Sequence, residues 1–503
     1  MGIHALPLVE ELLPAPRPED VFLRMARLPH CLFLDSAMGH PTLGRYSFLA
    51  ADPFDFVELP ADGSDALAIL EERLRQFTPY GGADIPVCLR EPEEAGRRES
   101  PPHLPPFQGG AAGLFSYDLG RSLERLPRPK ADEFGVPALA VGLYDVVVAF
   151  DHAAGRAWIV SQGFPEVDPL LRRRRAAKRL AEAGAWIAGP GVAVQLPPQQ
   201  HRCWCGSCTA APGTVAERLP PERLMPQYAV PGVPNVASSF SKDGYLQAVR
   251  RVIDYIHAGD VFQVNLSQRL LAPARDDAAA LYLRLRRCNP APFAGYFDLG
   301  EFQIVSASPE RFLRVADRQV ETRPIKGTRP RTGDPAIDRA AAAELLASEK
   351  DRAENVMIVD LMRNDLARVC DARSVRVGQL CGIEAYEHVL HLVSSVHGRL
   401  RDGRMPIDLL RAAFPGGSIT GAPKIRAMEI IAELEPAARG AYCGSLGYLG
   451  FDGSLDMNIL IRTITAGRGW WQFPVGGGIV ADSIPEREYE ETWHKAEGLL
   501  RAL

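Results

Sequence analysis

The chain has 503 residues, 46% of them hydrophobic and 24% charged, with a formal net charge of −5. These values exclude a disordered polypeptide, and they exclude a general nucleic-acid binder, which would carry a strong positive excess. No apolar run reaches the roughly 18 residues of a membrane span, the N-terminus lacks a basic segment leading into a long apolar stretch, and nine cysteines are spread thinly. A cytoplasmic enzyme in a reducing compartment is expected, one that holds any anionic ligand by local charge.

Residues from about 20 to 160 mix short apolar runs, such as Val141–Phe150, with Pro and Gly breaks and read as β-rich with a few helices. Residues 86–106 read as a polar insertion, and a charged helix is predicted near Pro169–Ala185. Periodicity then fades and proline accumulates, which divides the chain into an N-terminal region 1–188, a linker or insertion 189–239 and a region 240–503. Within the linker, His201, Cys203, Cys205 and Cys208 are of zinc-ligating type. Cys203 and Cys205 are only one residue apart, and no second CxxC follows, so an unmetallated linker is expected.

Tyr245, Val249, Val252, Ile253 and Ile256 recur at helical spacing up to Gly259, and Val261–Ser267 then reads as a strand. Strands are predicted at Phe302–Ser306, Phe312–Val315 and Gln319–Arg323, and again at Tyr442–Phe451 and Asp456–Thr465. Helices are predicted over Asp338–Ala367, Pro406–Ala413 and Pro423–Leu434. This pattern gives an α/β (α+β) class with a large, mostly antiparallel sheet carrying helices on a face.

Lys326 stands between Pro324 and Gly327 amid Arg323, Arg329 and Arg331. Fixed positive charge disfavours a second ammonium, as a nucleophilic amine requires, and the arginines would hold an anion beside it. By itself the segment reads first as a basic β-turn on a solvated surface. Asp351 with Glu354, and Glu488 with Glu491, are each spaced three residues apart on predicted helices, so each pair shares a helical face. Such pairs form either a salt-bridging surface or, where the helices converge, an oxygen site for Mg²⁺. The loop Phe414–Lys424, with Ser418, suits an anion at a helix start or an ordinary cap; Gly476–Gly478 suits a close ligand approach or a β-bulge. Neither matches a nucleotide-binding motif. His391, in an apolar strand without a Gly-x-Ser-x-Gly elbow, reads as a hydrogen-bonded structural residue before a catalyst.

In order, Ser308-Pro-Glu310-Arg-Phe312, Pro324-Ile-Lys326-Gly-Thr-Arg-Pro330, Asp351-Arg-Ala-Glu354-Asn, Asp360-Leu-Met-Arg-Asn-Asp365-Leu, His391-Leu-Val-Ser394, Gly421-Ala-Pro-Lys424 and Pro485-Glu-Arg-Glu488-Tyr-Glu-Glu491 resemble the chorismate-utilising enzymes. The resemblance spans roughly residues 240–500, and the first 180 residues share it more faintly through Phe33-Leu-Asp35-Ser36 and Gly44-Arg-Tyr46-Ser47. It implies the chorismate-binding fold, two antiparallel β-sheets sandwiched within helical layers, with the site between them. At the Lys326 position the anthranilate branch carries alanine and the aminodeoxychorismate branch carries lysine, so the chain is similar to the latter.

What the resemblance implies for the site follows residue by residue. Lys326 would be a covalent nucleophile, Glu310 the acid and base, and His391 matches a histidine that assists pyruvate elimination in the anthranilate branch. Glu354 and Glu491 would ligate Mg²⁺ with Asp351 and Glu488 close behind. Ser418, Tyr442, Arg462, Gly476, Gly478 and Lys495 would contact chorismate. Asp35, Ser36, Asn289 and Pro290 match a tryptophan pocket. No glutaminase elbow is recognisable in the chain, which implies a separate glutamine amidotransferase supplying ammonia. A non-catalytic scaffold that only bound such a partner would be expected to lack the acidic pairs or Lys326, and all are present.

Overall fold

A computed structural model describes residues 7–38, 43–77, 104–189, 218–386 and 389–503. The polar stretch 86–106 falls almost wholly, and the His201–Cys208 cluster entirely, outside the described residues.

Strands from both ends of the chain build two antiparallel sheets. The 13-stranded sheet runs from Leu8–Glu11 through Leu32–Asp35, Phe293–Asp298 and Phe302–Ser308 to Trp470–Ile479 and Gln263–Pro273. The 10-stranded sheet includes Ile325–Pro330, Val389–Arg399, Arg311–Ala316 and Ser445–Gly450, which pairs with Gly110–Phe115. Leu32, Phe48, Phe297 and Ile304 of the first sheet meet Ala112, Leu114, Ala140 and Leu446 of the second in one core between the sheets. Helices cover the outer faces, Pro18–Met25, Pro169–Ala188 and Ala278–Cys288 on one and Ala66–Arg75, Glu349–Ala367 and Pro406–Ala413 on the other. Because both faces are covered, strands such as Gly110–Phe115 are buried throughout and lack the polar alternation of a half-solvated sheet.

The apolar run Val141–Phe150 is not one strand. Leu139–Tyr144 belongs to the smaller sheet and Val146–Asp151 to the larger, with Asp145 at the crossing. Asp145 is fully buried and accepts from Arg175 Nε and Arg179 Nε, each at 3.2 Å. Removing one partner of such a pair generally costs about 3–5 kcal/mol, so the charged residue fixes the switch between sheets.

The region predicted as one helix from Asp338 to Ala367 is two, Pro335–Ala347 and Glu349–Ala367. Ser348 breaks it by capping the second helix, its hydroxyl accepting from the Asp351 amide at 3.3 Å. The expected strand Asp456–Thr465 is likewise split, into Leu455–Asn458 and Thr463–Gly467, and Arg462 lies in the break with φ 51°. Gly476–Gly478 forms neither bulge nor loop, since it pairs in unbroken register with Ser267–Asn265. The bulge lies instead at Gly327, between Lys326 opposite Leu392 and Thr328 opposite His391. The Lys326 segment is therefore a bulged strand and not a surface turn.

Candidate active site

The two sheets bring several of the candidate residues close together, Gly478 beside both Lys326 and Gln263. The larger contributes Gln263, Asn265 and Gly476–Gly478; the smaller contributes Lys326 and His391. Glu310 lies in the two-residue connection between Phe302–Ser308 and Arg311–Ala316, where the chain passes from one sheet to the other.

Lys326 Nζ lies 3.9 Å from Glu354 Oε2, and both side chains are largely buried. A Cβ on Gly478 would come within 3.5 Å of Nζ and 2.4 Å of Gln263 Nε2, so only glycine leaves this approach open. The arginines around Lys326 do not face an anion site, contrary to the sequence expectation. Arg323 pairs with Glu321 and Glu384, Arg329 with Glu344 and Asp351, and Arg331 with Asp338.

Glu310 is buried and accepts from the Ser418 hydroxyl at 2.7 Å. Burial pushes its carboxyl up to about 7, against the opposing effects of the Ser418 bond and the Lys326 charge. It is thus poised between donor and acceptor near neutral pH, as a proton-transfer group must be. A folded pKa above the unfolded 4.5 means that stability falls as pH rises from about 4.5 to about 7. Glu310→Gln, which never ionises, should match the wild type near about pH 4 and exceed it by up to about 3 kcal/mol above about pH 8. Denaturant melts of both proteins across this range check the expectation, and a pH-independent difference would contradict it.

Glu488 and Glu491 project from the C-terminal helix Pro485–Leu500 toward Gly477, where an added Cβ would lie 3.3 Å from Glu488 Oε2 and 3.5 Å from Glu491 Oε1. Lys495 Nζ binds Glu491 Oε1 at 2.6 Å and the Gly476 carbonyl at 2.8 Å. Lys350 Nζ bridges to Glu488 Oε1 at 3.6 Å and Glu354 Oε1 at 4.0 Å, so the two acidic helices do converge. Asp351 is turned away from this cluster, its carboxylate beside Gly327 and 3.7 Å from Arg329 Nη2. Burial raises the pKa of Glu354; it would raise that of Glu491 too, but Lys495, Lys350 and Lys326 outweigh it and hold Glu491 below its ordinary value.

The donor set is all carboxylate oxygen, which suits Mg²⁺, and side-chain-free Gly477 leaves room beside it. Among the described residues, however, no three such groups stand at metal-binding distance. Lysine ammonium groups lie between the carboxylates instead.

Arg462 is largely buried and has no carboxylate partner among the described residues; burial alone lowers its pKa. A buried guanidinium without an anion is unfavourable unless a ligand supplies one. His391 lies close enough to feel that charge, and burial followed by Arg462 pushes its pKa down to about 4, leaving it neutral near pH 7. Its Nδ1 is 3.0 Å from the Thr328 hydroxyl. Tyr442 is buried, its ring 5.7 Å from the Arg439 guanidinium, on the turn whose Cys443 feels the Glu310 charge.

Gln263 and Asn355 were not singled out from the sequence, whereas Lys350 was legible there as a ready partner for the acidic pairs and does pair with Glu354 and Glu488. Gln263 is fully buried, and neither amide atom has a partner among the described residues. The signal for it was available: Gln263, Asn265 and Ser267 alternate along a strand and so share one polar face. Asn355 donates to the Leu392 carbonyl at 3.4 Å and accepts from Ser394, docking the Glu354 helix on the strand that pairs with Lys326.

A separate cavity of about 320 Å³ is lined by Asp35, Ser36, Tyr46, Pro292, Phe293 and Arg311, among others. Asn289 and Pro290 do not line it; Asn289 packs against Gly498 at the other end of its loop. The Asp35 carboxylate is already engaged by Tyr282 and Arg286, each at 2.7 Å, and by Ser47 at 3.1 Å.

The sequence pattern of the chorismate binding enzyme family matches residues 61–501. Anthranilate synthase component 1 of Thermus thermophilus is 46% identical over 405 residues, 80% of this chain and 79% of that protein. Aminodeoxychorismate synthase component 1 of Salmonella typhimurium is 38% identical over 493 residues, 96% of this chain and 95% of that protein. The crystal structure of anthranilate synthase component I from Streptococcus pneumoniae superposes with a TM-score of 0.69 at 28% identity, covering 92% of this chain and 93% of that one. With its sandwich fold, its converging acidic helices and these relatives, the chain belongs to the chorismate binding enzymes, the chorismate-converting family that its motifs resemble.

Proposed function

We propose that the chain is the large subunit of an aminodeoxychorismate synthase, forming 4-amino-4-deoxychorismate from chorismate and ammonia. The observation that carries this reading is Lys326 itself, an amine within reach of both a carboxylate, Glu354, and the charge of a buried proton-transfer group, Glu310. Chorismate is a dicarboxylate whose C4 hydroxyl leaves poorly. Lys326, its ammonium having released a proton to solvent, attacks C2 as the free amine, both ring double bonds shift, and the C4 C–O bond breaks as Glu310 protonates the departing oxygen to give water. Ammonia then adds at C4, both double bonds shift back and the C2–N bond to Lys326 breaks, while Glu310 takes up the proton that ammonia sheds. Gln263, with its unpartnered amide near Lys326, is placed to hold a small polar nucleophile.

Glu354, Glu491 and Glu488 would hold Mg²⁺, which when bound would neutralise the ring carboxylate. Arg462 would meet the enolpyruvyl carboxylate, with Tyr442 and the Gly476 and Gly478 amides nearby. A neutral His391 is unsuited to donate from an imidazolium near pH 7, which agrees with a reaction that keeps the enolpyruvyl group. The cavity at Asp35 and Ser36 has the volume for an aromatic amino acid such as tryptophan, though Asp35 would have to exchange an existing partner to hold the ligand's ammonium.

The 46% identity to an anthranilate synthase component favours a second reading, in which ammonia attacks C2 and pyruvate is eliminated. Purified chain given chorismate, Mg²⁺ and ammonium separates the two. The expected product retains the enolpyruvyl group; anthranilate with equimolar pyruvate would refute the proposal. Glutamine should replace ammonium only after a partner amidotransferase is added, as the component 1 names of the relatives suggest.

A further inference from the structure

Among the described residues, the carboxylates of Glu354, Glu488 and Glu491 are met by the ammonium groups of Lys326, Lys350 and Lys495. The cluster is therefore neutral, and a divalent cation entering it would leave two uncompensated positive charges unless a lysine gave way. The three lysines are not equally free to do so. Lys326 is confined by burial, its side chain only 13% exposed, and Lys495 is held by two short bonds at 2.6 and 2.8 Å. Lys350 is 51% exposed and sits 3.6 and 4.0 Å from its carboxylates, longer than the roughly 2.7–2.9 Å of a charge-assisted hydrogen bond.

Its position in the chain points the same way. Lys350 is the second residue of the helix Glu349–Ala367, capped by Ser348. A cation in a first helical turn faces the positive end of the helix dipole, so this lysine gains nothing from its own helix. What it does gain is contact with Glu354, one turn along, and with Glu488 on the C-terminal helix, while its charge also bears on Glu491. It spans the residues assigned above to the metal.

We infer that Lys350 is a place-holding cation: it bridges Glu354 and Glu488 in the metal-free enzyme and swings into solvent when Mg²⁺ arrives, so that it sets the concentration at which the site loads. The inference rests on the assignment of Glu354, Glu488 and Glu491 to Mg²⁺. Metal binding must break the two contacts of Lys350, and their loss in advance strengthens binding by about two- to fivefold, the scale of a partly exposed ion pair.

The test is calorimetric titration of the metal-free protein with Mg²⁺, with and without chorismate, for wild type, Lys350→Gln and Arg352→Gln. Arg352 lies in the same helical turn and makes no ion pair or side-chain hydrogen bond among the described residues, so its removal reports the loss of nearby charge alone. The expected result is a Kd for Mg²⁺ about two- to fivefold lower in Lys350→Gln and close to wild type in Arg352→Gln. Unchanged affinity in Lys350→Gln, or the same gain in both variants, overturns the place-holder while leaving the metal assignment intact. Absence of saturable Mg²⁺ binding in the wild type under both conditions removes the metal assignment and the place-holder together.

Discussion

Lys326→Ala should lose aminodeoxychorismate formation by about a hundredfold or more, the scale on which a positioned reacting group is lost. Wild-type enzyme given chorismate and Mg²⁺ without ammonia should carry the ring as a covalent adduct, found by intact mass and located by digestion on the peptide containing Lys326; the variant should carry none. The geometry explains why the amine is suited to this task. The Gly327 bulge re-aims the strand, Gly478 leaves the approach clear, and Glu354 fixes the ammonium end from the helix opposite. Some turnover should survive in Lys326→Ala, because Gln263 and the carboxylate-binding groups remain and bound ammonia can reach C2 directly. That residual activity should then shift toward the 2-amino product. Wild-type rate and product from Lys326→Ala would return the lysine to a purely electrostatic role.

Glu354→Ala and Glu491→Ala should each reduce kcat/KM by about a thousandfold, since a metal that neutralises a substrate carboxylate is worth several kcal/mol. Chelator should do the same to the wild type, and excess Mg²⁺ should reverse it. The two variants differ in a way that helps to assign them. Glu354 is also the nearest carboxylate to Lys326, so its loss should slow adduct formation even with saturating chorismate; Glu491 meets Lys326 only through longer-range charge, and its loss should act mainly on substrate binding. Full activity in chelator would rule out the metal, and a mild loss would move these residues from ligands to groups that position the ligands.

Much of the fold was legible because apolar periodicity and caps are local. The helix Pro406–Ala413 has the predicted bounds, and Lys424–Leu434 differs by one residue. What escaped was set by long-range contacts. Nothing in the run Val141–Phe150 says that its halves belong to different sheets; that depends on Arg175 and Arg179, more than 25 residues on, reaching Asp145. Likewise the motif around Lys326 marked a candidate nucleophile, but its arginines were legible only as charge. Their acidic partners come from four elements, and all but Glu321 lie beyond the motif, so most of their outward engagement had no local signature. The acidic pairs were legible as helical faces, whereas the division between Glu354, turned inward, and Asp351, turned to Arg329, depends on how the helix is docked by Asn355.

The shared sheets also govern how the chain can be made. Leu34 pairs with Gly295 and Phe115 with Ser445, so each sheet joins an early strand to a late one. At a synthesis rate of roughly 5–20 residues per second, the strand Gly110–Phe115 waits about 15–70 s for its partner Ser445–Gly450 to emerge. During that interval its apolar backbone is an open template for pairing with other nascent chains. Such high contact order makes for slow folding, and it makes the N-terminal strands part of the folding unit of the active site. A fragment beginning near residue 240 would retain the chemical groups and present two raw sheet edges to solvent.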